Sequence, residues 1–226
     1  MTNIYFRRNL PHIQPPNSTF FVTFRLANSL PKEVVLRLKA EQQEAERGLR
    51  ALKQQDPLSY LKAFSDQRKR YFGKFDQWLD KAGTGESWLN DSRIAQLVYD
   101  AILYRNGSQY DVICFTVMPN HVHMVFSVLE KKPFVEQPNR PPSKRRSAKY
   151  LLSPILQSLK WYTAREANKI LKRTGSFWQH ESYDRVVRDE GELRRIVEYV
   201  MNNPVKAGLA KRAEAWKWSY VKSVGK

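Results

Sequence analysis

Residues 20–26, Phe20-Phe21-Val22-Thr23-Phe24-Arg25-Leu26, are apolar and β-branched almost without interruption, which predicts a strand ending near Asn28-Ser29. Pro31 then opens a charged run of helical character to about Lys53. The helical pattern resumes over 57–81, where Tyr60, Leu61, Phe64, Tyr71, Phe72, Phe75 and Leu79 recur among charges. Ala82-Gly83-Thr84-Gly85 breaks it. Asp91 is placed to cap a further helix through Ile94, Leu97, Val98, Ala101 and Ile102, ending before Gly107. Two strands follow, 112–117 and 121–128, joined by a turn at Met118-Pro119-Asn120. Residues 131–149, rich in Pro and basic side chains, read as a mobile loop. Residues 150–172 then read as a helix with Leu151, Ile155, Leu159 and Tyr162 inward and Lys160, Arg165 and Lys169 more exposed. An aromatic turn at Phe177-Trp178, a short strand over 183–187 and a helix from Glu190 to about Asn202, stopped by Pro204, complete the pattern. The start, with Pro11, Pro15 and Pro16, is loose, and the tail is basic and aromatic.

Length and composition bound this picture. A chain of 226 residues forms one sizeable core, or one core with a large insertion, and 42% apolar residues is ordinary for a globular protein. Charge is where it departs. Thirty-nine Lys and Arg against 22 Asp and Glu give +17, a surface suited to a polyanionic partner, with nucleic acid foremost. A merely basic protein is the plainer alternative. No helix pairs a clean apolar face with a basic one, so an anionic membrane surface is a weaker rival. Cys114 is the single cysteine, which fits a reducing compartment. The first residues lack the apolar stretch of a signal peptide, and no window approaches the roughly 20 apolar residues of a bilayer span. A cytoplasmic, nucleoid-associated protein is expected.

His121-Val122-His123 lies on a predicted strand, where residues i and i+2 face the same way. Two imidazoles side by side can hold a divalent metal with room for a third ligand and phosphate oxygens; they can equally be two polar residues on a half-solvated face. Tyr199 and Asn203 are one helical turn apart and share a face. There a phenol can act as nucleophile and a carboxamide oxygen as a hard-metal ligand, or the pair can be a core aromatic and a helix cap. Either pattern alone decides nothing.

Together with several further motifs they resemble a known family. Met118-Pro119-Asn120-His121-Val122-His123-Met124 matches the His-hydrophobic-His signature of the single-strand tyrosine transposases of insertion sequences. Gly175-Ser176-Phe177-Trp178-Gln179, Tyr183-Asp184-Arg185-Val186-Val187-Arg188-Asp189 and Tyr199-Val200-Met201-Asn202-Asn203-Pro204-Val205-Lys206-Ala207-Gly208-Leu209 are similar to the REP-associated tyrosine transposases, as is the tail Trp216-Lys217-Trp218-Ser219-Tyr220. The likeness covers residues 20–26 and nearly everything from Asp91 onward.

What the resemblance implies is an α+β chain with a ferredoxin-like antiparallel sheet and helices on its faces. It also implies Tyr199 as nucleophile, His121, His123 and Asn203 as metal ligands, and Mg²⁺ or Mn²⁺ as the ion. The substrate would be single-stranded DNA beside short palindromic hairpins, cleaved through a 5′-phosphotyrosine link. Insertion-sequence relatives carry Gln where this chain has Asn203. A monomer is expected, with a dimer as the alternative. Residues 1–226 form a single endonuclease domain in this reading. Residues 32–90 are then a helical insertion that the resemblance does not explain: it could extend DNA contacts, pack on the sheet or mediate dimerisation.

Lys144, Arg145, Arg146, Lys160, Arg165 and Arg185 are candidate phosphate contacts. Their plainer roles are a solvated linker, a solvated helix face and, for Arg185, an ion pair with Asp184 or Glu190. His180 and Glu181 can help position a phosphate or serve as ordinary polar residues. Trp216 and Trp218 can stack on unpaired bases or anchor the tail. Two other function classes stay open: a DNA-binding protein with little nuclease activity, and an RNA-binding regulatory module whose His pair is structural.

Overall fold

The computed structural model describes residues 5–7, 11–13, 18–81, 85–129 and 152–223. A hairpin of β1 (Tyr5–Arg7) and β2 (Pro11–Ile13) comes first. It falls in the loose, proline-bearing start of the chain, where three-residue strands leave too few positions to show a period. The central sheet is five-stranded and antiparallel, built from β3 (Thr19–Arg25), β4 (Tyr110–Val117), β5 (His121–Val128), β6 (Tyr183–Val186) and β7 (Ser219–Val221), in the order β6-β3-β5-β4-β7.

Four of these strands, β3 to β6, with α4 (Ser92–Tyr104) between β3 and β4 and α5 (Leu152–Ile170) between β5 and β6, form a β-α-β-β-α-β unit. The spatial order of its strands is fourth, first, third, second, which is the ferredoxin-like arrangement within an α+β chain. β7 adds a fifth strand beyond β4.

β3 is buried on both faces, which explains its unbroken apolar run. Phe20, Val22, Phe24 and Leu26 join Ile94, Val98 and Ile102 of α4 and Ile155, Leu156 and Leu159 of α5 in the larger core. Phe21 faces the other way, into a smaller core with Cys114, Val125, Tyr183, Ile196 and Val200. In β5 Val122, Met124 and Phe126 take the first face, so His121, His123 and Val125 take the second. A register shift between Val112 and Cys114 lets β4 keep Val112 and Phe115 on one face and Cys114 on the other.

The second face is covered by α6 (Glu190–Lys206) and by α3 (Pro57–Asp80), which follows α1 (Lys32–Gly48) and the short α2 (Arg50–Gln55). The insertion therefore packs on the sheet. Phe72 of α3 stacks on Tyr183 with ring centroids 4.2 Å apart and meets Phe21 edge-on, while Arg68 donates to the Asp184 carbonyl at 2.7 Å. α3 starts as its sequence suggests, Asp56 accepting from the Leu58 and Ser59 amides ahead of Pro57.

α6 runs past Pro204 rather than stopping before it. Proline forfeits one backbone bond, but in the final turn that loss is small, and the helix instead ends at Gly208. There φ is +72°, the Leu209 amide donates to the Pro204 carbonyl and the Gly208 amide to that of Val205. This left-handed glycine cap carries Lys206 to the end of the helix and keeps Tyr199, Asn203 and Lys206 on one face. No helix among the described residues is long and apolar enough to cross a membrane.

Candidate metal centre and nucleophile

His121 and His123 sit at the middle of the sheet, opposite Arg25 and Thr23 of β3. Both are fully buried, and their Nε2 atoms converge to 2.9 Å. The Asn120 amide nitrogen donates to the Leu79 carbonyl, which turns its oxygen toward His121 Nδ1 at 2.6 Å. His121 Nδ1 therefore carries the proton and Nε2 keeps its lone pair, the tautomer a metal ligand needs. Burial, and then the neighbouring His123, push the His121 imidazole well below its ordinary pKa, so it stays neutral. His123 Nδ1 meets the Thr23 hydroxyl at 2.7 Å.

The third member of the cluster is Asp76, 1% exposed, from α3. Its Oδ1 lies 3.2 Å from His123 Nε2 yet makes no hydrogen bond, and its Oδ2 accepts from the Tyr199 hydroxyl. Burial works to raise the Asp76 carboxyl, but the two imidazoles and the Tyr199 hydroxyl outweigh it and hold the group below the usual carboxylate range. Tyr199 is driven the other way, by burial and then by the Asp76 charge, and is held firmly as the phenol. Lys206 caps this cluster, 2.6 Å from Asp80 and 3.8 Å from Asp76.

A buried group of one carboxylate and two imidazoles, with ligand atoms within 4.8 Å of one another, could hold a divalent ion. The donor chemistry fits. His121 Nε2 is unprotonated and faces His123 Nε2, Asp76 Oδ1 makes no hydrogen bond, and both amide atoms of buried Asn203 lack a hydrogen bond. Orphaned buried polar atoms call for a partner, since each otherwise costs about 1–3 kcal/mol. Asn203 shares the α6 face of Tyr199 and Lys206, the two residues of that helix that reach Asp76.

Asp76 escaped the sequence reading, although a signal was present. Phe72, Asp76 and Leu79 share the inward stripe of α3, and a carboxylate on the apolar face of an amphipathic helix needs a partner.

The other candidates separate clearly. Lys160 is no solvated residue: its Nζ donates to the Gln179 carbonyl (2.6 Å), the His180 carbonyl (3.0 Å) and Ser182 Oγ (3.1 Å). Burial lowers it to about 8, with Glu181 opposing and Arg25 adding. It ties α5 to the segment leading into β6. Arg185 pairs with Glu192 at 3.2 Å. Arg165 is exposed, bonded to Glu166 and stacked over exposed Trp161 at 4.7 Å. His180 is exposed and 3.4 Å from Glu181. Trp218 is buried, and the Trp216 indole donates to the Val117 carbonyl at 3.0 Å, so both anchor the tail beside β4. Lys144, Arg145 and Arg146, with the rest of 131–149, lie outside the described residues.

No family model matches the chain. An uncharacterized protein of Haemophilus influenzae is 28% identical over 102 residues, 40% of this chain and 52% of the relative. The match thus spans about half the length of that curated relative. Among solved structures, a REP-associated tyrosine transposase bound to a REP hairpin is similar over 95% of this chain and 80% of that one, at 15% identity and a TM-score of 0.49.

Proposed function

We propose that the protein is a metal-dependent endonuclease and strand transferase for single-stranded DNA, with Tyr199 as nucleophile, in the manner of the REP-associated tyrosine transposases that its motifs resemble. One observation carries the reading. The Tyr199 hydroxyl and the paired histidines meet at a single carboxylate, Asp76, whose two oxygens face the two halves of the site. A buried tyrosine wedged against a core would have no reason to be joined to a cluster of metal-ligating groups.

His121, His123 and Asp76 would hold the ion, with the Asn203 carboxamide as a fourth donor. Two imidazoles in the set favour Mn²⁺ over Mg²⁺, which prefers oxygen ligands and keeps its waters. Such an ion polarises the scissile phosphate and offsets the charge added during attack. The chain's own groups do the rest. Tyr199 Oη forms a bond to phosphorus, the bond from phosphorus to the 3′ oxygen breaks, the phenol loses its proton and the 3′ oxygen gains one. Asp76 Oδ2 orients the hydroxyl before attack, and Lys206 sets a positive charge beside it. Because the phosphotyrosine keeps the bond energy, another 3′-hydroxyl can reverse the step and rejoin DNA. A hairpin beside the cut, as in the resembling family, would present unpaired DNA at a defined place.

A second reading, a DNA-binding protein with little cleavage, has its own observation. The His pair, Asp76 and Asn203 are each 3% exposed or less, so α3 closes the site against a phosphate as the chain stands. Incubation with Mn²⁺ and hairpin-bearing single-stranded oligonucleotides, followed by denaturing electrophoresis, separates the two. Covalent adducts that vanish in Tyr199→Phe are the expected outcome; a broad panel yielding none would leave DNA binding as the function.

A further inference from the structure

Beside the metal centre, between the α1–α3 pair and the edge of the sheet, lies an open cavity of about 360 Å³ that the chemistry above does not use. Thr23, the hydrogen-bond partner of His123, is one of its lining residues, so cavity and cluster share a wall. Its volume is at the small end of the roughly 300–1,000 Å³ found for small-molecule sites, suited to one nucleotide and too small for duplex.

Two features of the lining are unusual together. Tyr71 and Phe75 stack at 23° with centroids 6.2 Å apart and form an aromatic wall. Against it lies Arg25, 7% exposed, its guanidinium carbon 5.6 Å from the Phe75 centroid. Arg25 donates through Nη1 to the Leu26 carbonyl and Ser29 Oγ, whereas Nε and Nη2 bond to nothing, and no carboxylate pairs with it, among the described residues. A desolvated guanidinium lacking a counter-charge is costly unless something else occupies its free donors. The rim supplies Lys39 and the Gln43 amide, together with the carboxylates Glu46 and Glu181, the latter 3.4 Å from the His180 imidazole.

Flat rings and a planar donor fork call for a flat ligand with two adjacent acceptors. We infer that this cavity receives one unpaired base of the single strand, with guanine preferred. The base stacks on the Tyr71 and Phe75 rings, its O6 and N7 accept from Arg25, and Lys39 meets the strand's phosphate at the mouth. Adenine offers N7 beside a donor, and thymine offers O4 and O2 only on either side of N3–H, so the preference for guanine over both follows from the fork. The inference rests on the single-strand reading and deepens it by naming the base that sets where the strand lies next to Tyr199.

The test uses the full chain in EDTA, so binding is read without cleavage. Fluorescence anisotropy compares labelled dT10 with the same oligonucleotide carrying one central guanine, adenine or 7-deazaguanine. The expected result is about tenfold tighter binding of the guanine probe than of dT10, with most of that lost for adenine and for 7-deazaguanine, which lacks the N7 acceptor. Arg25→Lys, which keeps the charge and removes the fork, should erase the preference. Because Arg25 is in a core strand, Val35→Trp from α1 provides a second route, filling the cavity without altering β3. Equal affinity for guanine and thymine probes in the unaltered chain, or a preference that survives both substitutions, overturns the inference. Adducts scored separately with Mn²⁺ keep the two readings apart. Adducts with no base preference overturn the pocket alone, and a guanine preference without adducts overturns cleavage alone.

Discussion

At the residue scale, Asp76 is the pivot. One oxygen of this carboxylate lies beside His123 and the other holds Tyr199, so one side chain joins the histidine pair to the tyrosine. Asp76→Asn removes the charge with little change of shape. It should weaken Mn²⁺ binding at least about tenfold, whereas Tyr199→Phe should leave it within about twofold. Titration of Mn²⁺ followed by electron paramagnetic resonance reads this without any DNA. Unchanged affinity in Asp76→Asn would demote the carboxylate to a partner of the tyrosine. Glu192 is a different buried carboxylate with a structural task. Its oxygens take the Arg188 guanidinium and amide at about 3 Å, and Arg185 lies at 3.2 Å. Burial raises its pKa, but these bonds outweigh burial and leave it depressed. A depressed carboxylate contributes stability above its unfolded value, about 4.3, and loses it as pH falls through the lower folded value. Glu192→Gln should therefore cost about 2 kcal/mol at pH 7 and progressively less as pH falls below about 4.3, as denaturant melts across that range would report.

At the element scale, the insertion is a working part of the molecule. α3 contributes Asp76, the Leu79 carbonyl that orients Asn120 and hence His121, and Phe72, which packs on Tyr183, Phe21 and Tyr199. Phe72→Ala should cost about 2–3 kcal/mol and lower Tm by about 5–10 °C. Amide exchange should quicken in α3 ahead of α4 and α5, which pack on the opposite face. Loosening of both faces together would mean that α3 is not a separable cover.

How much of this was legible follows from how each element is built. The strands at β3 and β5, the cap at Asp91 and the facing of His121 and His123 away from Val122 depend on local alternation and local hydrogen bonds, which the sequence displays directly. Asp76 meets His123 and Tyr199 across 47 and 123 positions of chain, and nothing local announces such a meeting. Lys160 misled because a lysine on a helix reads as solvated until three acceptors are brought to it from residues 179–182. The end of α6 was read from Pro204, when Gly208 and its two backbone bonds determine it.

At the scale of the whole molecule, the charge of +17 and its placement point outward. Two of the buried carboxylates are spent internally: Asp76 on His123 and Tyr199, Glu192 on two arginines. Surplus Lys and Arg are left at the surface, where like charges repel one another and a polyanion relieves the repulsion. Binding of single-stranded DNA should then release counterions in proportion to the phosphates neutralised, so log K falls by about 0.7 per phosphate for each tenfold rise in salt. A footprint of about five phosphates predicts a slope of about −3.5. Anisotropy titrations with a labelled dT10 across a salt series measure it, and a slope flatter than about −1 would remove nucleic acid as the reason for the charge. Two lysine and arginine positions sharpen the test. Arg165 stacks on exposed Trp161 at the surface, and Arg165→Gln should flatten the slope by about 0.7 if it meets a phosphate. Lys160→Met should leave the slope unchanged and lower Tm instead, because that charge faces three oxygens of the chain itself rather than the strand outside.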